Sequence, residues 1–460
     1  MPIRRLLDAL IVAATATVAT LAAPPAAATD WNQLQRAANH PGTNPSETAF
    51  TPANVGALAI LWRGHFGDNV ATEGGAVIAG PRIFVAGYDG RLSAFDLAGC
   101  GGGASSCEPL WQGRTHNEIT TTPAVSGQHV LVASADRFLH VFNAAGCGAK
   151  SCDALWRGRL SNGAIDSSVT VSGDFAFVGD YGGRLSVFPL AGCGTSVCDP
   201  AWTAQAGPHE QLNSSPTVGG GFVYVQTTYS TDDDVTGRML VFPAGGCGQA
   251  TCSPLWTADL GGPAGTTASP VVVGDTVYVG SGKRFGGPNR IDHLFAFPAA
   301  GCGRATCQPT RTFDIGADGL GTTPAVAGGW LFATTQRSPD PNSVGVVAAF
   351  DLAGCPAGQR CQPTWTGVNF TDGFASSPAV VGHVVFVGKG PAQEVDAGVF
   401  AFDARGCGAG KKTCRALALV RPSDQGFYLG APLAVARDRV AFVANDNTTQ
   451  HSEVVVMGLP

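Results

Sequence analysis

Short apolar runs separated by breaks of Gly, Asp and Ser recur through most of the chain. Residues 121–156 show the pattern once: Thr-Thr-Pro-Ala-Val, His129-Val-Leu-Val-Ala-Ser, Phe138-Leu-His-Val-Phe and, after two cysteines, Ala-Leu-Trp156. Each run is rich in Val and Phe and is bounded by turn residues, which predicts β-strands. We name the four strands of one period A, B, C and D in chain order.

The A-B-C part of the pattern occurs eight times, whereas a D strand follows it only seven times. The copies begin near residues 74, 121, 167, 214, 268, 322, 376 and 430. A match to the missing D strand precedes the first copy, because Ala59-Ile-Leu-Trp62-Arg-Gly resembles Ala154-Leu-Trp156-Arg-Gly. Radially repeated four-stranded units of 40–50 residues are propeller blades. The pattern predicts an all-β, eight-bladed β-propeller of antiparallel blades, closed by an N-terminal strand near residues 58–63; seven blades is the alternative.

Fourteen cysteines fall into seven close pairs, one between strands C and D of each of seven repeats. First cysteines are 46 to 55 residues apart, so the pairs are too far from one another to share a zinc ion, which needs four ligands in one place. An even count in an exported chain indicates disulfides. The predicted bonds are Cys100–Cys107, Cys147–Cys152, Cys193–Cys198, Cys247–Cys252, Cys302–Cys307, Cys355–Cys361 and Cys407–Cys414.

The N-terminus has the composition of a secretory signal. Arg4 and Arg5 precede an apolar run from about Leu10 to Ala23, and small residues at 26–28 fit a cleavage site. A retained membrane anchor is the alternative, but the run is short for a span. We predict a signal peptide (1–28), an N-terminal segment (29–57), the propeller (58–460), and a secreted or periplasmic protein without a membrane span in the mature chain.

Composition excludes two classes of protein. The 460 residues are 44% hydrophobic and 13% charged, with 63 Gly. Disordered chains are charge-rich and poor in Val and Phe, so disorder is excluded. The net charge of -6 and the absence of a Lys/Arg stripe argue against nucleic acid as a partner.

Tryptophan recurs four residues after the second cysteine in five repeats, and Trp62 precedes the first blade. Arg311 and Ala418 break this pattern. A Trp on an outer strand is expected to pack between neighbouring blades, so these residues are predicted to be structural.

The repeat resembles that of the quinoprotein (PQQ-type) propellers. Blade one carries it as Ile83-Phe-Val-Ala-Gly-Tyr88-Asp-Gly-Arg-Leu-Ser-Ala-Phe95-Asp96. The N-terminal segment, with Asn39-His-Pro-Gly-Thr-Asn and Phe50-Thr-Pro-Ala-Asn-Val-Gly-Ala-Leu58, resembles that of PQQ-dependent alcohol and polyvinyl-alcohol dehydrogenases. The same repeat builds the outer-membrane assembly scaffold BamB, which binds no quinone.

The resemblance implies a PQQ and calcium site made of a vicinal disulfide, a Trp floor, a Glu/Asn calcium set and an Asp base. The sequence departs from that set: it has no Cys-Cys dipeptide and no Cys-x-x-Cys-His haem motif, and none of its Trp residues falls in a funnel loop. These departures favour a protein without quinone chemistry.

Loops D–A and B–C are expected to meet at one face of the ring, here called the funnel face, while the cysteine loops lie on the opposite, cysteine-loop face. Carboxylate, imidazole and amide groups could bind a divalent cation or transfer protons there, although solvated loop tips are polar without any such role. Paired hydroxyl residues at the A-strand starts either line the channel or satisfy strand ends. The candidate ligand-binding residues are Glu73, His116, Asn117, Glu118, Asp166, Asp180, Tyr181, His209 and Glu210, with Glu118 and Glu73 as weak metal candidates.

Three functions remain. The favoured one is a non-catalytic exported module that binds a protein, polymer or small-molecule ligand and needs no cofactor. The alternative is a PQQ- and Ca²⁺-dependent alcohol or polyol dehydrogenase using the funnel. A metal-assisted hydrolase or lyase is a third, without a supporting motif.

Overall fold

A computed structural model describes residues 29–68, 74–101, 106–164, 166–230, 235–260, 268–281, 293–315, 322–335, 347–367, 374–390, 398–408, 410–422, 427–428, 431–446 and 451–460. Eight four-stranded blades surround a central axis. The A strands of neighbouring blades contact one another in sequence, and the eighth contacts the first, so the ring is closed. The predicted eight-bladed, all-β fold is confirmed.

Each blade runs A-B-C-D from the axis outward, with antiparallel neighbours. The A strands are Val77–Ala79, Ala124–Ser126, Thr170–Ser172, Thr217–Gly219, Val271–Val273, Ala325–Ala327, Ala379–Val381 and Ala434–Ala436. The B strands are Arg82–Ala86, His129–Ser134, Phe175–Gly179, Phe222–Gln226, Thr276–Gly280, Trp330–Thr334, Val384–Gly390 and Arg439–Asp446. The C strands are Arg91–Asp96, Phe138–Asn143, Arg184–Pro189, Arg238–Pro243, His293–Pro298, Val347–Asp351, Gly398–Asp403 and His451–Gly458. The D strands of blades one to seven are Trp111–Arg114, Trp156–Arg159, Trp202–Gln205, Trp256–Asp259, Arg311–Asp314, Trp365–Gly367 and Ala418–Val420.

The middle strands are continuous apolar runs because neighbouring blades cover both of their faces. Four consecutive residues, Val130 to Ala133, are fully buried in strand B of blade two. A strand buried on both sides loses the apolar–polar alternation of a half-exposed strand. The core is therefore a ring of apolar layers between blades.

The last blade takes its outer strand from the N-terminus. Ala59–Asp68 pairs antiparallel with His451–Gly458, with Gly64 opposite Val454. This confirms the predicted closure, and the strand extends five residues past the predicted end near residue 63. Closure by strand pairing covers the edges that an open array would expose on its first and last blades.

All seven predicted disulfides are present. The second cysteine of each pair ends a two-residue strand that pairs in parallel with the D strand of the preceding blade. Cys198 of blade three, for example, lies beside Gly158 of blade two, and the Arg157 N–H donates to the Ser196 carbonyl at 2.9 Å. The seven strands are Ser106–Cys107, Ser151–Cys152, Val197–Cys198, Thr251–Cys252, Thr306–Cys307, Arg360–Cys361 and Thr413–Cys414.

The outer-strand tryptophans pack between neighbouring blades, as predicted, and they lie under these loops. Trp156 of blade two packs against Gly192 and the Phe188 ring of blade three, and the ring centroids are 6.4 Å apart. Gly192 has a φ of 72°, and a Cβ there would lie 3.1 Å from the indole. The Ala-Gly-Cys glycine therefore supplies both the turn and the space for the Trp.

The N-terminal segment crosses the ring on the cysteine-loop side of the A strands. It forms hydrogen bonds with the same apolar position of all eight A strands. The Val125 N–H donates to the Asn32 carbonyl at 2.7 Å, and the Val272 N–H donates to the Asn39 carbonyl at 2.9 Å. The full set of pairs is Trp31–Ile78, Asn32–Val125, Gln33–Val171, Ala38–Val218, Asn39–Val272, Pro41–Val326, Gly42–Val380 and Asn44–Val435.

The segment then leaves the axis beside blade seven. Phe50 meets the Phe386 ring edge-on at 5.5 Å, and a 3₁₀ helix, Val55–Ala57, contacts the D strand of that blade. This is the position at which a cysteine loop from blade eight would lie if blade eight had one. Within the described residues, no helix has the length and apolar character to span a membrane.

Candidate functional site

Hydroxyl groups at the starts of the A strands connect neighbouring blades. The second hydroxyl residue of one blade accepts a backbone N–H from the same position of the preceding blade. The Ser168 N–H donates to Ser215 Oγ at 2.8 Å, and the Ser215 N–H donates to Ser269 Oγ at 2.9 Å. The relay runs through Gly75, Thr122, Ser168, Ser215, Ser269, Thr323 and Ser377.

The first hydroxyl of each pair is also bound to backbone. In blade four, Ser214 Oγ accepts the Gln226 N–H at 3.0 Å and donates to the Gln226 carbonyl at 3.1 Å. These hydroxyls therefore satisfy strand ends, which is the second of the two roles expected from the sequence.

Asp180 is a fully buried carboxylate that holds two loops of blade three. It accepts the hydroxyl of Ser161 at 2.6 Å and the N–H groups of Ser161, Asn162, Gly182 and Arg184 at 2.9–3.1 Å. Five donors saturate both of its oxygens. Its geometry is that of a clamp between the D–A and B–C loops.

Glu210 joins the corresponding two loops in blade four, but it stands in the D–A loop and has a cation as partner. Arg238 donates to both of its oxygens, Nε at 2.8 Å and Nη2 at 2.6 Å, and Thr227 donates at 3.1 Å. Burial alone would raise the pKa of Glu210, but the hydrogen bonds from Arg238 and from the Gly207 N–H outweigh it and hold that pKa below its usual range. The carboxylate is therefore charged and paired.

In blade two, the clamp is Asp136, which was not among the candidate residues predicted from the sequence. It accepts the His116 N–H at 2.9 Å and faces His140 Nε2 at 2.8 Å. Burial pushes the pKa of Asp136 upward, but His140 and the backbone donors prevail and lower it. One sequence feature could have identified it: Asp136 stands two residues before strand C. An Asp side chain at such a position accepts the N–H of residue i+2, here Phe138.

The remaining candidates project from the loops around these clamps. His116, Asn117 and His209 are exposed, and His209 has a φ of 63°. The Asp166 carboxylate accepts the Tyr181 hydroxyl at 3.2 Å. Glu118 is half-buried. Glu73 lies outside the described residues.

The eight of these residues that the structure describes lie on loops of blades two, three and four. Each clamp joins two loops of one blade, and the two imidazoles, His116 and His209, stand on blades two and four. In the described ranges, three metal-ligating side chains converge at another place, His65, Asp68 and His451, on the outer strands of blade eight.

The described residues do not fit the quinone and calcium set that the resemblance implies. The buried carboxylates Asp180, Glu210 and Asp136 are occupied by protein donors, and the disulfides lie on the cysteine-loop face. Trp31, which forms a bridge with Ile78 of an A strand, is buried on that same face. We therefore derive no reaction step through PQQ.

Fold and site thus define an eight-bladed β-propeller in which the funnel-face carboxylates Asp136, Asp180 and Glu210 are bound by protein donors. A family model described as outer membrane protein assembly factor BamB matches residues 53–151 and 147–291, which together are more than half of the chain. The chain belongs to this PQQ-repeat β-propeller family. No curated protein matches the sequence.

Solved structures with the same fold include scaffolds and enzymes. BamB from Moraxella catarrhalis is 15% identical, with a TM-score of 0.55 over 87% of this chain and 97% of that one. A europium-containing methanol dehydrogenase is 11% identical, with a TM-score of 0.66 over 94% and 98%. Quinohemoprotein alcohol dehydrogenase from Comamonas testosteroni is 12% identical, with a TM-score of 0.63 over 94% and 80%. At these identities the likeness shows the fold alone.

Proposed function

We propose that this protein is an exported, non-catalytic binding module. The observation that carries the proposal is the state of the buried funnel carboxylates that the structure describes. A catalytic base or a calcium ligand needs free lone pairs, whereas those of Asp180 are filled by five protein donors and those of Glu210 by Arg238, Thr227 and the Gly207 N–H. A partner would therefore be held by surface contacts rather than transformed.

Export is part of the proposal. Seven disulfides form and persist in oxidising compartments such as the periplasm or the extracellular space. The predicted signal peptide, residues 1–28, lies outside the described residues. Mass spectrometry of the protein recovered from its native compartment should find a mature chain that begins near residue 29 with no free thiol.

A protein is the partner class that the surface favours. The residue just before the outer-strand Trp position is an exposed leucine in five blades. Four of these leucines lie on consecutive blades, seven, eight, one and two, along the rim of the cysteine-loop face; the five are Leu61, Leu110, Leu155, Leu255 and Leu417, each 38–52% exposed. A repeated exposed apolar position on one rim is the kind of surface that protein partners cover.

The deciding experiment is a PQQ titration of the purified mature protein with and without Ca²⁺. Calorimetry should detect no binding, and simple alcohols should not reduce an artificial dye. Calcium-dependent binding at micromolar PQQ, followed by dye reduction, would overturn the proposal and establish the dehydrogenase alternative. Glu118→Ala would then test whether that site uses the funnel.

The partner surface has its own test. A photo-crosslinking amino acid is placed at residue 110 or 155 on the leucine rim, or at residue 116 on the funnel face as the matched exposed control. We expect the two rim positions to crosslink one and the same protein in cells and residue 116 to give no such product. Equal crosslinking from residue 116, or none from the rim, would contradict a rim partner.

A further inference from the structure

Three metal-ligating side chains meet where the first and last strands of the propeller pair. Asp68 Oδ1 lies 3.2 Å from His65 Nε2 and 2.5 Å from His451 Nδ1. The two imidazole rings are 4.8 Å apart, centroid to centroid. One ligand atom from each residue lies within 4.8 Å of the others.

A β-bulge puts the three on one side of the sheet. In a regular strand, residues three apart point to opposite faces. The register of this strand shifts between His65 and Gly67, so His65 faces Glu453 and Asp68 faces His451. Because residues 453 and 451 share a face, the extra residue brings His65 and Asp68 to that same face.

The donor set is that of a first-row transition ion. Two imidazoles and one carboxylate are common zinc ligands, and ligands at about 2 Å from a tetrahedral ion lie roughly 3.3 Å apart. Calcium prefers six or more oxygens and does not suit this set. Glu453 lies on the same face opposite His65 and pairs with Arg63 at 3.0 Å, so a second carboxylate adjoins the cluster.

A similar pair in blade five has no third metal-ligating side chain among the described residues. His293 faces Asp314 in direct register, and the Nδ1–Oδ1 distance is 3.1 Å. There Arg360 donates to both oxygens of Asp314 at 2.6 and 2.8 Å. The carboxylate of blade five is therefore engaged by a guanidinium, whereas that of blade eight faces two imidazoles.

We propose that His65, Asp68 and His451 bind a divalent transition ion, preferably Zn²⁺. The bound ion would link the N-terminal outer strand of blade eight to its C-terminal strand. The ion would join residues 383 positions apart in the sheet where the first and last strands of the propeller pair. It would bind the closed ring and not the unfolded chain, and so would stabilise closure by mass action.

The test uses untagged mature protein freed of metal by a chelator. Calorimetry with ZnCl₂ should give one site per chain with a dissociation constant in the micromolar range or tighter, and Zn²⁺ should raise the unfolding temperature. His451→Ala and Asp68→Asn should each weaken binding at least tenfold. His293→Gln is the matched control and should bind as the wild type does.

Cobalt binding to the wild-type protein gives a spectroscopic test that does not depend on how well a variant folds. Co²⁺ bound to the wild-type site should give visible d–d absorption that Zn²⁺ displaces, and the conservative His65→Gln should change that spectrum. No stoichiometric binding to the wild type would overturn the proposal. Equal loss of binding in His293→Gln, or unchanged binding in His451→Ala, would overturn it as well.

Discussion

Seven of the eight junctions between blades are held by a disulfide-closed loop, whereas the junction between blades seven and eight is held by the N-terminal segment. At each of the seven, a disulfide-closed loop reaches back to the D strand of the preceding blade. Blade eight has no such loop, because its C and D strands come from opposite ends of the chain. The N-terminal segment with its 3₁₀ helix, Val55–Ala57, lies there instead.

The difference explains one of the two positions without an outer-strand tryptophan. The indole of each such Trp packs beneath the glycine that precedes the first cysteine of the next blade. Blade seven has Ala418 at this position, and its neighbour, blade eight, supplies no glycine turn. The Trp and the cysteine loop therefore form one unit. Nothing in the structure explains why blade five carries Arg311.

The largest loss of stability is expected from removing a tryptophan at a junction held by a disulfide-closed loop. Trp156→Ala empties the space between Gly192 and Phe188, and burial lost with a cavity left behind costs about 3–5 kcal/mol of unfolding free energy. Trp330→Ala is the control, since Trp330 is half-buried at the start of a B strand, where its ring stacks on Phe332. Denaturant unfolding should separate the two; an equal loss in both would show that the junction has no special weight.

Asn44 tests the other kind of junction. Its fully buried side chain donates to the Val435 carbonyl of blade eight at 3.0 Å, and its N–H donates to the Val380 carbonyl of blade seven. Asn44→Ala keeps the backbone bond to Val380 but leaves the buried Val435 carbonyl without its side-chain donor, which should cost about 2–3 kcal/mol. The half-buried Asn32, which donates to Val125, should lose less on the same change. Free energies of unfolding of the two variants should show the larger loss for Asn44→Ala; an equal loss would contradict this prediction.

Removing one disulfide should have a moderate effect. The Cys193–Cys198 bond closes a very short loop, and its chain-entropy contribution is about 2 kcal/mol. The double variant Cys193→Ser/Cys198→Ser should lose about that amount. In addition, exchange of the Arg157 N–H, which donates to this loop, should become faster. Unaltered exchange at Arg157 would mean that the loop holds its position without the bond.

The smallest effect near neutral pH concerns His40, in the part of the N-terminal segment far from blade eight. Its ring is buried between the hydroxyls of Thr170 and Thr217, and burial lowers its pKa to about 3. A depressed pKa means that stability present above the unfolded value, about 6.5, is lost as the pH falls toward 3. The slope should be about 1.4 kcal/mol per pH unit.

His40→Gln should remove that part of the acid dependence. Unfolding free energies measured between pH 7 and 4 in both proteins give the comparison. Parallel curves would show that His40 does not remain neutral in the folded ring.

The repeat made most of the fold predictable. Eight A-B-C copies with seven D strands already indicated the closure by Ala59–Asp68, and close cysteine spacing indicated the disulfides. The parallel pairing of the cysteine strands escaped prediction, because two residues such as Ser151–Cys152 carry no periodic signal. The path of the N-terminal segment escaped too, since its contacts use one or two residues for each blade.

The candidate site was less predictable for a physical reason. Polarity at a loop tip shows neither where a side chain points nor what it binds. Glu210 and Arg238 are 28 residues apart and meet only because loops D–A and B–C fold against each other. His65, Asp68 and His451 converge through a bulge that the sequence does not reveal.

The most direct test of the two kinds of junction is hydrogen exchange measured peptide by peptide. Reduction of the disulfides should speed exchange in outer strands such as Trp111–Arg114 and Trp156–Arg159 and leave Ala418–Val420 protected. Val55→Asp, which puts a charge in the buried 3₁₀ helix, should expose Ala418–Val420 and spare the others. Equal loss of protection in all eight outer strands under either treatment would contradict the account.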